Sequence, residues 1–216
     1  AVILEPTGKT PAVPGFLQAV RDLTVKYGVI LIFDEIITGF RVHMGGAQAL
    51  YDITPDLSCF GKAMANGLPI SALVGRQDLM VMLEHIFVSG TFGGEALSLV
   101  AANATIDKLE QQDGPNRIWR HGNSLIKAAN AILDDHGIAA FVQFGGEGWW
   151  PRMALGEGNP ENSLNTVLLT SLVRQEFMGA GLLFATGFNL CLDHLRDEVM
   201  DETLASISAA AAALRI

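Results

Sequence analysis

Apolar and polar positions change rhythm repeatedly along this chain, and the changes divide it into elements. Residues 1–4, AVIL, read as a short strand of the buried type, ended by Glu5-Pro6. A loop carrying Pro6, Gly8, Pro11 and Pro14 follows. Within residues 15–27, Phe16, Val20, Leu23 and Tyr27 recur at helical spacing, and Gly28 is a natural stop. Residues 29–33, VILIF, are continuously apolar, as in a strand covered on both faces. Strand, helix and strand at these lengths predict a parallel βαβ unit. Beyond Gly45-Gly46 the pattern gives a short helix at 47–51, a strand at 57–60 and a strand at 71–74 that returns beside it. A helix at 77–85, a glycine-rich turn at 89–94 and a long helix from 95 to about 111 follow, the last with Leu99, Ala102 and Ile106 on one face.

Asp113-Gly114-Pro115 interrupts this texture, so the domain boundary is placed between residues 112 and 113. Pro115 suits the first turn of a new helix, which runs to about residue 136 and stops at Gly137. Residues 138–144 and 149–155 pattern as strands joined by the turn Gly145 to Gly148. A polar loop at 156–163, a helix at 164–178, two short strands at 182–185 and 189–192, and a helix at 197–214 complete the chain. The expected architecture is α/β with a mostly parallel sheet over 1–112, then a small α+β domain over 113–216.

Composition narrows the function classes. Half of the residues are hydrophobic and 17% are charged, so part of the apolar surface is expected to lie in an interface. The net charge of −9 and the lack of any lysine or arginine block argue against nucleic acid and anionic membrane as partners. No apolar run is long enough to span a bilayer. Two cysteines, Cys59 and Cys191, are too few for a disulfide framework and fit a reducing cytoplasm. The chain opens at Ala1 on a strand already under way, with no signal peptide, which reads as part of a longer protein.

The candidate chemistry lies between Val29 and Lys62. Ligands of open α/β sheets sit outside the carboxyl ends of the strands, and Asp34 and Lys62 both follow strands, 28 residues apart. Lys62 stands in the apolar, glycine-rich stretch FGKAMANGLP with no carboxylate nearby in sequence. Partial burial would make such an amine nucleophilic towards carbonyls; a solvated turn lysine is the plainer reading. Asp34-Glu35 after VILIF also resembles the magnesium-binding strand end of a nucleotide-hydrolysing domain. The phosphate loop G-x-x-x-x-G-K-[ST] fails around Lys62, however, because Asp56 and Ala63 occupy two of its defining positions. Helix capping or a surface loop is the plainer role for the acid pair. The turn at Gly90 to Gly94 precedes a helix whose free N–H groups could hold a phosphate. The five histidines show no metal-ligand spacing. Trp149-Trp150 suits a core or a domain contact, and Ser89 and Ser98 lack the partners of a serine hydrolase.

Taken together, LIFDEIITGFR and GGAQALYDITPDLSCFGKAMANGLPISALVGR resemble the class III (subgroup II) pyridoxal-phosphate aminotransferases of fold type I, among them glutamate-1-semialdehyde 2,1-aminomutase-like members. A strand-end DE, a TGFR, a TPD, a GK and a GLP follow one another in the family's order. Weaker similarity runs through AVILEP, SGTFGGEALS and GFNLCLDH, so it covers the chain as a C-terminal half. The resemblance implies a Schiff base between Lys62 and pyridoxal 5′-phosphate, with Lys62 then moving the substrate proton. Asp34 would pair with the pyridine nitrogen. Ile36, on the same side of an extended chain, would pack on the ring, and Thr91 would bind the phosphate across a homodimer interface. The implied partners are a small-molecule amino donor and a carbonyl acceptor. The loop after Glu5-Pro6 lacks the second glutamate of ornithine- and 4-aminobutyrate-type members. The turn TFGGEALS also lacks the asparagine-proline pair of the aminomutases, which leaves a general aminotransferase. The family's N-terminal half, with its phosphate cradle, stacking aromatic and much of the substrate pocket, is not in this sequence. A nucleotide-hydrolysing domain and a non-catalytic remnant serving dimerisation stand as alternatives.

Overall fold

A computed structural model describes residues 1–155, 166–183 and 187–214. The chain forms two compact units, Ala1–Asn116 and Arg117–Ile216.

The first unit is built on a four-stranded sheet in sequence order: β1 (Val2–Leu4), β2 (Leu31–Asp34), β3 (Leu57–Phe60) and β4 (Ala72–Gly75). The pairs β1–β2 and β2–β3 are parallel, and β4 runs antiparallel to β3. The sheet is therefore mixed, with the predicted parallel βαβ unit at its start. Central β2 is apolar up to its last residue, Asp34, and its Leu31 and Phe33 are fully buried. β1 has the same apolar character but a different environment: among the described residues only β2 pairs with it, and Ile3 stays 61% exposed.

Helix α1 (Phe16–Lys26) makes the crossover between β1 and β2. Its inward face is Leu17, Val20 and Thr24 rather than the expected stripe of Phe16, Val20, Leu23 and Tyr27. Phe16, Leu23 and Tyr27 are exposed. The helix is turned so that Arg21, one turn on from Leu17, reaches Asp56 (Nη1–Oδ2 2.9 Å). An ion pair distant in sequence and a buried Thr24, bonded to the Arg21 carbonyl, set this rotation. Gly28 ends the helix in the left-handed conformation (φ 62°), which glycine adopts without strain.

Asp56 pins the entry end of the sheet. Its backbone N–H donates to the Leu31 carbonyl, its Oδ2 accepts the Leu31 N–H at 2.8 Å, and its carbonyl accepts the Arg76 N–H at 3.0 Å. Arg76 adds a second guanidinium at 2.9 Å. Past β4, the helix expected over 77–85 is divided into α3 (Gln77–Met80) and a 3-10 turn (Val81–His85). Neither has a buried face to hold a longer α-helix. The long helix α4 (Ala96–Gln111), the fourth after a five-residue α2 (Gly46–Leu50), buries Ser98 and Ala102. Ala102 and Ile106 pack against Met64 and Ala65, whereas Leu99 is exposed.

In the second unit, α5 (Gly114–Asp135), whose first residues close the first unit, packs with α6 (Thr166–Gly179), α7 (Asp197–Ala213) and the hairpin β5 (Val142–Gly145) and β6 (Arg152–Leu155). Asn130 of α5 grips β5 from both sides, donating to the Phe144 carbonyl and accepting the Phe144 N–H. Trp149 is fully buried, its indole N–H bonded to Glu147. Of the strands expected at 182–185 and 189–192, residues 184–185 lie outside the described residues, and no strand forms over 182–183 or 189–192. Leu182 and Leu183 are irregular, Gly187 makes a single bridge to Arg152, and Leu192–Leu195 winds into a 3-10 turn capped by His194 on Cys191. The expected loop at 156–163 and the start of the helix at 164 lie outside the described residues.

Candidate functional site

The register of β2 and β3 brings the candidate residues together. Asp34 is the last residue of β2 and is level with Cys59 on β3. The next backbone N–H, from Glu35, donates to the Cys59 carbonyl at 2.9 Å. Parallel pairing thus places the acid at the same sheet end as Gly61-Lys62, which leave β3 two residues beyond Cys59. Oδ1 of Asp34 accepts the Ile36 N–H at 3.1 Å. Among the described residues Oδ2 has no such partner, so it keeps acceptor capacity.

Ile36 is not in an extended chain, as alternation predicted. It opens a turn, because Asp34 captures its N–H. Its side chain nevertheless lies beside Gly61: a Cβ built on Gly61 would stand 3.7 Å from Cγ2 of Ile36 and from the Ile70 carbonyl. Lys62 opens a short 3-10 turn in the left-handed region (φ 40°), uncommon for a residue with a side chain. Its side chain is exposed, so the partial burial suggested by its apolar sequence neighbours is not found. The apolar residues around it, Met64 and Ala65, turn inwards under α4 and leave the lysine outside.

The charge of Asp34 is felt by its neighbour. Burial pushes the Cys59 thiol above its ordinary value, and the Asp34 carboxylate adds to the rise.

Thr91 stands apart from this group. It lies in the exposed turn of residues 91–94, held by the Gly93 N–H to the Gly90 carbonyl at 3.0 Å. The turn borders an open groove of about 680 Å³, lined by residues 69–71, 88–95, Ser98 and Leu99, and not by Asp34, Ile36 or Lys62. The Glu95, Leu97 and Ser98 N–H groups at the start of α4 are already occupied. Glu95 accepts from the Leu97 and Ser98 N–H groups at 2.7 Å each and from the Ser98 hydroxyl, contacts that lower its carboxyl below the usual range. An anion at this turn would therefore be held by Thr91 and its neighbours rather than by the helix end.

Glu35, the second member of the acid pair, has a role that its sequence position did not reveal. Its carboxylate is completely buried and accepts from the Thr38 hydroxyl, the Ala47 N–H (2.7 Å) and the Gln48 N–H (2.9 Å). The capping reading was right for this residue, but its target lies twelve and thirteen residues ahead. Gly46, at φ 73°, leaves the space: a Cβ there would come within 2.6 Å of both carboxylate oxygens. Spent in this way, Glu35 is not free to bind a metal-bound water, which removes the second acid of the nucleotide-hydrolysing alternative.

In the second unit, His121 and His194 line a separate cavity of about 510 Å³ with Trp150 and Phe188. Burial lowers the His121 imidazole, and His194 lowers it further against the opposing pull of Asp197. No group of three or more potential metal ligands occurs among the described residues. No described helix is long and apolar enough to cross a membrane.

The sequence profile of the family described as "Aminotransferase class-III" matches residues 1–147. The chain belongs to the class-III aminotransferase family. It is 40% identical over 164 residues to a 3-aminobutyryl-CoA aminotransferase of Cloacimonas acidaminovorans, covering 74% of this chain and 39% of that protein. It is 46% identical over 118 residues to a glutamate-1-semialdehyde 2,1-aminomutase of Pelotomaculum thermopropionicum, covering 51% of this chain and 27% of that protein. Its fold matches an omega-transaminase from Sphaerobacter thermophilus with a TM-score of 0.76 at 27% identity, over 97% of this chain and 52% of the other. The FumI protein of Sphingopyxis sp. MTA144, determined in a PLP internal aldimine form, matches with a TM-score of 0.84 at 24% identity, over 98% and 51%. The chain thus spans about half the length of these solved structures and less of the curated relatives. The fold is that of the fold type I transaminases, and membership of this family overturns the nucleotide-hydrolysing alternative.

Proposed function

We propose that this chain carries the lysine half of a pyridoxal-phosphate site and that the protein transfers an amino group from a small amino donor to a carbonyl acceptor. The observation that carries the reading is the gathering of Asp34, Ile36 and Gly61-Lys62 at the carboxyl ends of β2 and β3. The donor set fits the cofactor: a carboxylate oxygen without a partner, an apolar side chain over a glycine, and an exposed amine. When bound, the cofactor supplies an electron-withdrawing ring that stabilises negative charge at the substrate Cα. Lys62 supplies the amine that holds the cofactor covalently. The same amine would take and return the proton at the substrate Cα. Oδ2 of Asp34 holds a proton on the ring nitrogen, and the turn that satisfies Oδ1 keeps the carboxylate aimed. Ile36 covers one ring face and excludes water. Thr91 offers its hydroxyl and N–H to the phosphate of the partner subunit, in a homodimer with shared sites, which accounts for its place in a groove that the Lys62 group does not line.

On this reading residues 1–112 are the C-terminal part of the cofactor-binding large domain and residues 113–216 the small domain. The turn TFGGEALS favours general amino transfer over the aminomutase reaction. The two free cysteines support a cytoplasmic location. The test is a titration of the protein, in the longest chain that carries these residues, with pyridoxal phosphate. Visible absorbance that saturates in the wild type and is lost in Lys62→Ala supports the reading. No absorbance change in the wild type sinks it.

A further inference from the structure

Glu35 is a fully buried carboxylate that, among the described residues, has no cation partner and accepts from the Thr38 hydroxyl and the Ala47 and Gln48 N–H groups. A buried charge is kept only where the donors around it are fixed. Here they come from two places, Thr38 and the Ala47-Gln48 pair, so the carboxylate closes the span 36–48 into a ring. The main chain of Glu35 closes it further: its N–H donates to Cys59 and its carbonyl accepts the Gly39 N–H at 2.8 Å. Next to Gly39, Phe40 packs its ring on Phe60 with centroids 5.7 Å apart, immediately before Gly61-Lys62. A Cβ on Gly39 would collide with the Phe60 ring, so loop and strand end touch directly. One residue therefore ties together Asp34, which precedes it, Ile36, which follows it, and the strand end that carries Lys62.

We infer that Glu35 is a positioning residue for the cofactor: its buried grip on residues 38–48 fixes Asp34 and Ile36 against Gly61-Lys62. The inference rests on the proposed pyridoxal-phosphate site, and touches no reacting atom itself. Glutamine in its place keeps the shape but offers one acceptor oxygen and an NH2 group. Whichever way the amide turns, the Gln48 N–H or the Thr38 and Ala47 donors lose their acceptor. At metal sites, removing an outer partner of a ligand typically weakens affinity about ten- to a hundredfold, and a loss at the low end of that range is expected here.

The test compares wild type, Glu35→Gln and Thr38→Val, each in the longest chain that carries these residues and well below its melting transition. The readouts are pyridoxal-phosphate affinity, the pH at which the bound cofactor's visible absorbance changes, and amide exchange at Ile36, Ala47 and Gln48 without cofactor. Glu35→Gln is expected to bind about tenfold more weakly, to move the pH midpoint and to exchange faster at those amides, with Thr38→Val in between. Glu35→Gln with a lower melting temperature but wild-type affinity and midpoint is merely a structural defect, and overturns the inference. Should Glu35→Gln not fold, Thr38→Val with wild-type affinity and midpoint overturns it equally. A wild type that binds no cofactor overturns the site reading and this inference with it. A wild type that binds, matched by both variants, overturns the inference alone.

Discussion

Replacing Asp56 by asparagine tests how the sheet that presents the site is held. The Asp56 side chain is 4% exposed and receives Arg21, Arg76 and the Leu31 N–H. Burial alone would raise its carboxyl; the bonds from Arg21, Leu31 and Arg76 override it and hold the group well below the usual carboxylate range. The amide keeps the Leu31 bond but loses the charge facing Arg21. A hydrogen bond to a charged group is worth about 1.5–3 kcal/mol. Arg76 is half exposed and adds nothing to this figure. The expected loss is therefore about 1.5–3 kcal/mol, or roughly 3–12 °C in melting temperature for a chain of this length. The carboxyl is lowered on folding, so its contribution is complete above the ordinary value of about 3.9 and is lost as pH falls through the folded value. Thermal unfolding followed by circular dichroism at a series of pH values should show the two proteins apart at neutral pH and converging in acid. A gap that stays constant into strong acid, or a variant as stable as wild type at neutral pH, would refute the reasoning.

Other expectations are as direct. Alkylation of Cys59 by iodoacetamide, mapped by mass spectrometry, should quicken in Asp34→Asn, because removing the neighbouring charge lowers the thiol; an unchanged rate means that Asp34 does not reach it. Trp149→Ala should cost about 3–5 kcal/mol in denaturant unfolding, since a fully buried indole leaves both a cavity and an unpartnered Glu147. Gly122→Ala should destabilise the second unit at least as visibly as a core truncation, because the new methyl would meet the Gly148 carbonyl and neither backbone can give way; a melting temperature equal to wild type contradicts this close approach.

The sequence was most legible where one property repeated locally. VILIF, the DE after it and the lysine after FG placed two strands and the residues at their ends, because a buried parallel strand needs an uninterrupted apolar run. It was least legible where a distant partner decided the outcome. The inward face of α1 is set by Arg21 reaching across to Asp56, and no helical stripe within residues 15–27 carries that information. Ile36 left the extended path because an adjacent carboxylate took its N–H. Glu35 and Gly46 form one feature eleven residues apart, and only the fold brings the left-handed glycine over the acid. Leu182 and Asn189 carry strand-like neighbours, yet among the described residues of this stretch only Gly187 finds a ladder partner. Thr91 was placed with the Lys62 group by resemblance alone; in this chain it borders a groove that Asp34, Ile36 and Lys62 do not line.

The most direct measurement is covalent. The protein is incubated with pyridoxal phosphate, reduced with borohydride, digested, and its labelled peptide sequenced by mass spectrometry. The account predicts one stoichiometric label, on Lys62 within the peptide that contains FGKAMANGLP, and none in Lys62→Ala. A label on another lysine, or an unlabelled Lys62 in a chain that carries the complete family fold, would contradict it.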